Sequence, residues 1–443
     1  MALVTDNPTR GGDLLDELRA WLEENWDPDL TVGEWWERLG LSGWAAPLLP
    51  TDSYGRGLSR GDSLRVQREI AAFGALGPPA GLGLGLAAPT IATHGTRAQI
   101  DRYIPDIVTG RKAWCQLFSE PGAGSDLAGL ATRAVLDGEV WHVDGQKVWT
   151  SGGQFADLGM LLARTNPDVP KHQGITWFCL DMHQPGVEVR PLREMTGTAL
   201  FNEVFLSDAK VTDDARIGDT HNGWAVANTT LAYERAGMGS GGRGAARGIA
   251  AMARPGTVAQ DLGRRAGEVV APAGPAATAA EPGQRGSPAK ALIDLARDLG
   301  KDQDAAIRQR LARLHILGEL ARLNTERHKA VQAAGGDIPG IANFSKLAMA
   351  DVVRLTRDLG LEILGARGML HAYTGDDRQS LAAEVGGPAA VAITAQALRA
   401  QALPIYGGTD QIQRNIIGER TLGLPKEPGD LAHVPYSQLP RNG

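Results

Sequence analysis

The segment Trp114-Cys115-Gln116-Leu117-Phe118-Ser119-Glu120-Pro121-Gly122-Ala123-Gly124-Ser125-Asp126 is followed, after one short interval, by Gly145-Gln146-Lys147-Val148-Trp149-Thr150-Ser151-Gly152-Gly153. A β-prone run gives way to a Gly-rich turn whose backbone N–H groups and hydroxyls are free to hold the polar edge of a ligand. Trp149 offers a flat apolar face beside Ser151. That combination suits a planar ring with polar margins. A Gly-rich β-turn beside a buried Trp fits the same residues, and spacing alone leaves both readings open.

Outward from this segment the chain reads as short strands. Ala134-Val135-Leu136, Val140-Trp141-His142-Val143 and Lys147-Val148-Trp149 are separated by Asp137-Gly138 and Asp144-Gly145, and each Asp-Gly pair predicts a hairpin. Further β-prone runs lie at Ile175–Asp181, Val187–Val189 and Glu203–Ser207. Together they predict a compact antiparallel β domain over 114–219.

On either side the apolar spacing is helical. Leu14-Leu15-x-x-Leu18-x-x-Trp21-Leu22 opens an N-terminal helical domain over 1–113. Beyond Gly223 a C-terminal helical domain runs over 220–443. There Ile307, Leu311, Leu314 and Ala321 form one stripe and Ile316, Leu320 and Leu323 another, which predicts a helix inside a bundle. Residues 271–288 are rich in Ala, Gly and Pro and nearly free of large apolar side chains, so a flexible loop is expected there. All ten Trp stand at or before Trp224, so the two halves are expected to pack differently. The fold class is α+β.

Composition narrows the function. A formal net charge of −6 carries no basic footprint for nucleic acid. Cys115 and Cys179 are the only cysteines, with neither the number nor the spacing for a disulfide scaffold or a structural zinc site, and no metal ligands are assigned. The N-terminal residues lack a basic-then-apolar leader, and no apolar run reaches the ~18 residues of a spanning helix, so a cytoplasmic protein is expected. Two G-x-G-x-x-G/A matches, beginning at Gly83 and Gly239, lack the strand-before, helix-after context of a dinucleotide site. Close helix packing through small residues explains them better.

With Ile405-Tyr406-Gly407-Gly408-Thr409-Asp410-Gln411-Ile412-Gln413-Arg414, the two opening segments resemble, in order, the signatures of the FAD-dependent acyl-CoA dehydrogenase family. The resemblance runs from about Leu14 to Pro425. It implies an N-terminal helical domain, a middle β domain and a C-terminal four-helix bundle enclosing FAD and an acyl-CoA thioester. By the same resemblance Gln116, Ser119, Trp149 and Ser151 would contact the flavin ring, and Ser125 would lie beside the thioester. Thr409 and Gln411 would reach the phosphate and adenosine portions of FAD. Glu362-Ile363-Leu364-Gly365-Ala366-Arg367-Gly368 resembles the turn that reaches FAD across a subunit interface, with Glu362 for the usual Gln and Ala366 for a usual Gly. Arg297 is the counterpart of the arginine that pairs with the FAD pyrophosphate, although the Phe and the spacing of that segment are lost. Gly81–Thr90 resembles the region near the acyl pocket.

The family reaction removes a proton from Cα of the thioester while a hydride leaves Cβ for flavin N5. Many members take the base from the Glu of Tyr-Glu-Gly-Thr, but this chain has Gly407 after Tyr406. In the family's other arrangement, as in its isovaleryl- and long-chain-type members, the base sits on the first long helix of the C-terminal domain. Leu231-Ala232-Tyr233-Glu234-Arg235-Ala236-Gly237-Met238 aligns Glu234 with that base and Arg235 with an arginine near the active site. Expected partners are an acyl-CoA substrate, an electron-transfer flavoprotein, and a second copy or a paralogous subunit in a dimer or tetramer. A flavin oxidase or monooxygenase and a non-catalytic subunit are the rival readings.

Overall fold

The computed structural model describes residues 13–239, 261–270, 288–334, 336–385, 387–426, 431 and 433–440. Of the expected loop at 271–288, residues 271–287 lie outside them, as does the second G-x-G-x-x-G match past Gly239, while Pro288 opens a helix. Two compact units divide the chain: one holds 1–192, 199–274 and 430–443, the other 193–198 and 275–429.

The first unit begins with helices α1 (Asp13–Asn25), α2 (Val32–Leu41), α3 (Arg60–Phe73), α4 (Ala88–His94) and α5 (Arg97–Val108). Local chemistry starts two of them. Thr31 and Glu34 exchange hydrogen bonds in a capping box on α2, and Thr96 and Gln99 do the same on α5. Gln99 Nε2 also donates to the carbonyls of Asp214 and Arg216, so the cap that starts α5 ties it to the end of the sheet. The match at Gly83 proves to be a π-helical turn, Gly83–Ala87, leading into α4. A Cβ on Gly83 would sit 3.1 Å from Trp114 Cδ1, which is the close packing that a small residue permits.

Eight strands follow: β1 (Trp114–Leu117), β2 (Arg133–Asp137), β3 (Val140–Lys147), β4 (Leu158–Arg164), β5 (Ile175–Asp181), β6 (Val187–Leu192), β7 (Phe201–Thr212) and β8 (Arg216–Ile217). Their order is β6-β7-β3-β2-β4-β5-β8, with β1 pairing parallel to β4. The expected all-antiparallel sheet is therefore a mixed one. Asp137-Gly138 does turn β2 into β3, with Gly138 at φ +61°. Asp144-Gly145 does not make the second hairpin, because β3 continues through it to Lys147 with a register shift between Val143 and Gly145. A Cβ on Gly145 would collide with Thr132, so glycine stands there for a close backbone approach instead of a turn. Trp35, Trp44, Trp114 and Trp177 are among the largest fully buried side chains. Truncating any of them to Ala should cost ~3–5 kcal/mol.

Helix α6 (Gly223–Gly239), which the sequence groups with the C-terminal helices, belongs to this first unit, as does a single turn α7 (Ala266–Val269). The second unit contains α8 (Pro288–Asp298), α9 (Ala305–Ala333), α10 (Ile341–Leu364), α11 (Gly375–Val385), α12 (Pro388–Arg399) and α13 (Asp410–Ile416). Ile307, Leu311 and Leu314 enter its core with Leu292, Leu359 and Ile363. The second stripe departs from the expected bundle interior, since Ile316, Leu320 and Leu323 are 56%, 51% and 50% exposed. At ~1.5 Å per residue, the 29-residue α9 far outruns the 11-residue α8, so its later turns extend past that cover.

Candidate active site

A buried ion pair joins the two opening segments. Lys147, fully buried at the end of β3, donates from Nζ to Glu120 Oε1 at 2.7 Å and to the Phe118 carbonyl at 3.1 Å. Glu120 also accepts from the backbone N–H groups of Ala131 at 2.6 Å and Thr132 at 2.9 Å. Burial alone would raise the Glu120 carboxyl, but Lys147 and these donors outweigh it and hold the group below its ordinary range. Burial likewise lowers the Lys147 ammonium, with Glu120 opposing. Neither residue was singled out from the sequence. A lysine on the inward face of a strand, after Trp141 and Val143, was the available signal.

This pair sets the turn and the tryptophan side by side. Val148 N–H donates to the Ser119 carbonyl at 2.9 Å, and Thr150 pairs with Asn202 through both backbone bonds at 3.0 Å. Between them Trp149 is held at φ +61°, a conformation that a bulky side chain adopts at a cost of ~1–3 kcal/mol. The residue is 61% exposed, and its ring meets Phe201 edge-on at 5.9 Å. The buried-Trp reading of this segment therefore fails. Ser119, Gln116 and Ser151 are half-buried nearby in the chain, while added Cβ atoms on Gly122 and Gly124 would meet nothing within 4 Å. An exposed indole on a strained backbone, flanked by hydroxyls and an open glycine turn, fits the ring of FAD. Ser125 is exposed, and the next residue, Asp126, accepts from Lys171 Nζ with both oxygens at 2.7 Å.

The structure also brings Glu234 to this group. Gln116 Nε2 lies 3.4 Å from Glu234 Oε2, across 118 residues of sequence. Helix α6 is fixed one turn earlier, where buried Thr230 meets Thr90 at 3.0 Å and Thr229 meets His94 Nε2 at 2.8 Å. Arg235 follows Glu234 on α6. His94 is lowered by burial, in keeping with a neutral ring at that contact.

The second unit carries the remaining residues. Gly407 and Gly408 sit at φ +64° and +81°, and Gln413 Nε2 donates to the Gly407 carbonyl at 2.9 Å. Thr409 caps α13, its hydroxyl accepting from Ile412 N–H at 3.2 Å, while Gln411 and Tyr406 are exposed. Asp410 is buried between Lys346 Nζ and Arg354 Nη1, each at 2.8 Å. Glu362 is engaged by Arg310, and Gly365 ends α10 at φ +57°. Arg297 is a surface residue 3.6 Å from Asp294. Asp410, Arg310 and Asn202 were not anticipated, since each acts through a partner far away in sequence, and Gln413 was not, although its contact to Gly407 is local. Among the described residues no cluster of three or more His, Cys, Asp or Glu could hold a metal, and no single helix is long and apolar enough to cross a membrane.

Comparison with known proteins gives concordant matches. The family models described as acyl-CoA dehydrogenase N-terminal, middle and C-terminal domains match residues 13–111, 115–209 and 290–422. Acyl-CoA dehydrogenase IpdE1 of Mycobacterium tuberculosis is 33% identical over 95% of this chain and 91% of its own length. Acyl-CoA dehydrogenase FadE34 of the same organism is 38% identical over 88% of this chain, but this chain spans only 46% of it. Among solved structures, the ChsE4-ChsE5 complex from M. tuberculosis matches with TM-score 0.61 and 27% identity, covering 96% of this chain and 100% of that one. A Geobacillus kaustophilus acyl-CoA dehydrogenase shares the fold at TM-score 0.58 and 21% identity over 95% of this chain and 100% of that one. On these matches the chain belongs to the acyl-CoA dehydrogenase family, whose members are FAD-dependent flavoproteins.

Proposed function

We propose that this protein dehydrogenates an acyl-CoA thioester to its 2,3-enoyl-CoA, with Glu234 as the base. The observation that carries the reading is the approach of Gln116 and Glu234, which sets a carboxylate beside the segment that holds Trp149 and Ser119. FAD, when bound, supplies the acceptor for the hydride leaving Cβ. Gln116, Ser119, Trp149 and Ser151 would hold its ring; by the family resemblance Thr409 and Gln411 would contact the phosphate and adenosine portions of FAD, and Gly365 lies in the turn that would reach FAD across a subunit interface. Glu234 takes the proton from Cα, Arg235 lies beside it in the chain, and Ser125 faces the thioester. Proton and hydride leave adjacent carbons, so the new double bond needs no other reactant. An electron-transfer flavoprotein then takes up the electrons.

The test is anaerobic bleaching of the flavin by a panel of butyryl-, octanoyl-, palmitoyl- and cyclohexane-1-carbonyl-CoA, repeated with Glu234→Gln. Bleaching that the variant loses supports the reading; an unbleached, flavin-loaded wild type refutes it for these acyl classes.

A second reading concerns assembly. Glu362, at the position that would reach a neighbour's FAD, is neutralised within its own chain by Arg310, and Arg297 is a plain surface residue. The chain also matches just under half of FadE34 and one chain of the ChsE4-ChsE5 complex. These features favour pairing with a paralogous chain that completes the cofactor site. FAD bound in full stoichiometry by the protein expressed alone would argue for a homo-oligomer instead.

A further inference from the structure

The C-terminal segment 433–440 lies beyond residue 422, where the family match ends, yet it is built into the first unit. Tyr436 N–H donates to the Val169 carbonyl at 2.9 Å and Ser437 N–H to the Pro167 carbonyl at 2.8 Å. The Ser437 hydroxyl donates to Asp168 Oδ1 at 3.1 Å. Pro435 bridges to Pro170, so the segment is stitched along the loop joining β4 to β5.

The Tyr436 ring covers the Arg164 guanidinium, whose carbon lies 3.9 Å from the ring centroid. Arg164 is 3% exposed and its two terminal nitrogens donate to backbone: Nη1 to the Lys171 carbonyl at 2.7 Å, Nη2 to the Ala128 carbonyl at 2.6 Å and to that of Leu130 at 3.3 Å. It thereby clamps the β4–β5 loop to the turn after Asp126. Lys171, on that loop, grips Asp126 with both carboxylate oxygens, and Ser125 is the residue before it. A continuous set of contacts thus runs from Tyr436 through Arg164 and Lys171 to the residue beside Ser125.

We propose that segment 433–440 is a strap for the thioester side of the active site, with Tyr436 a positioning residue that acts through Arg164. The proposal rests on the reading of Ser125 as a neighbour of the thioester. A cation held under an aromatic face in a desolvated site is stabilised enough for its loss to be felt about tenfold.

The test uses the full-length, flavin-loaded protein as Tyr436→Ala, Tyr436→Phe and Tyr436→Leu. Amide hydrogen exchange in 126–131 and 166–173 should quicken about tenfold in the Ala and Leu variants and stay close to the wild-type rate in the Phe variant, which keeps the aromatic face and loses only the 3.4 Å contact of the Tyr436 hydroxyl with the Gly129 carbonyl. With the panel thioester that wild type turns over fastest, KM should rise about tenfold while kcat and flavin content hold. Tyr436→Leu keeps apolar bulk and serves if the Ala variant does not fold. Unchanged exchange in both variants overturns the strap. Faster exchange with an unchanged KM overturns its role at the substrate, as does a fall in kcat alone. Failure of wild type on every thioester would instead count against the proposed activity, and the exchange result, which needs no substrate, still decides whether the strap exists.

Discussion

Trp149 should respond to substitution in two channels that move independently. Replacing it with Gly or with Ala removes the same ring, but only Gly relieves the backbone at φ +61°. The left-handed conformation costs an L-residue ~1–2 kcal/mol, so Trp149→Gly should be more stable than Trp149→Ala by about that amount, the reverse of the usual order within extended chain. Ring loss contributes equally to both variants. With 61% of the residue open to solvent, a stacked flavin would cover roughly 75 Å² of indole, worth ~2 kcal/mol at ~25 cal/mol per Å². Both variants should therefore lose FAD affinity by a similar factor, roughly 30-fold, with Trp149→Phe between them and wild type. Chemical denaturation of the apoprotein and titration of FAD by flavin fluorescence read the two channels. Equal stability of the Gly and Ala variants would contradict the strained backbone, and wild-type FAD affinity in both would remove the ring from the flavin site.

Glu234→Gln should lower the rate of flavin reduction by ~10²–10⁴-fold, the usual worth of a general base, with flavin content intact in the visible spectrum. Lys147→Met leaves the Glu120 carboxylate buried without its cation and should cost ~3–5 kcal/mol in a denaturant melt; a Glu120→Gln/Lys147→Met double variant should lose less than the single losses combined. Because the Glu120 carboxyl is held below its ordinary value in the folded chain, its contribution is complete above the ordinary carboxylate range and is lost as pH falls through the depressed folded value. Acid titration of stability should accordingly be shallower in Glu120→Gln. Glu362→Gln, which removes the charge that Arg310 neutralises, should raise the FAD retained by the protein expressed alone, measured as flavin per chain after gel filtration.

How much of this was legible in the sequence follows from the range of each interaction. Asp137-Gly138 encodes its hairpin within four residues, and the apolar run Ile175–Leu180 encodes a strand buried on both faces, so both were readable. Parallel pairing of β1 with β4 is a contact across about 44 residues with no local mark, and it was missed. Asp144-Gly145 carried a hairpin's signature, but crowding by Thr132 is the reason for that glycine, and crowding is not written locally. The stripe Ile316, Leu320, Leu323 shows the same limit: periodicity says that a face is apolar, not that anything covers it. Within the candidate site, Gln116, Ser119, Trp149 and Ser151 were named by family motif. Glu120 and Lys147, which hold those residues in place, belong to the same motifs and became visible only as a buried pair.

That pair also bears on which carboxylate in the first unit can act as the base. Three lie on the Gly-rich turn or are brought to its segment: Glu120, Asp126 and Glu234. A base must be ionised at rest and still able to accept a proton, and a carboxylate saturated by strong donors meets only the first condition. Glu120 accepts from an ammonium and two backbone N–H groups at 2.6–2.9 Å, and protonating it would strand Lys147 as a buried cation. Asp126 is held by Lys171 at 2.7 Å through both oxygens, and a proton there would loosen the loop that the C-terminal segment fastens. Glu234 is half-buried on α6, outside the turn, with the neutral Gln116 Nε2 at 3.4 Å from its carboxylate. The two turn carboxylates are committed to holding the site together, which agrees with the proposal that α6 supplies the group that changes charge.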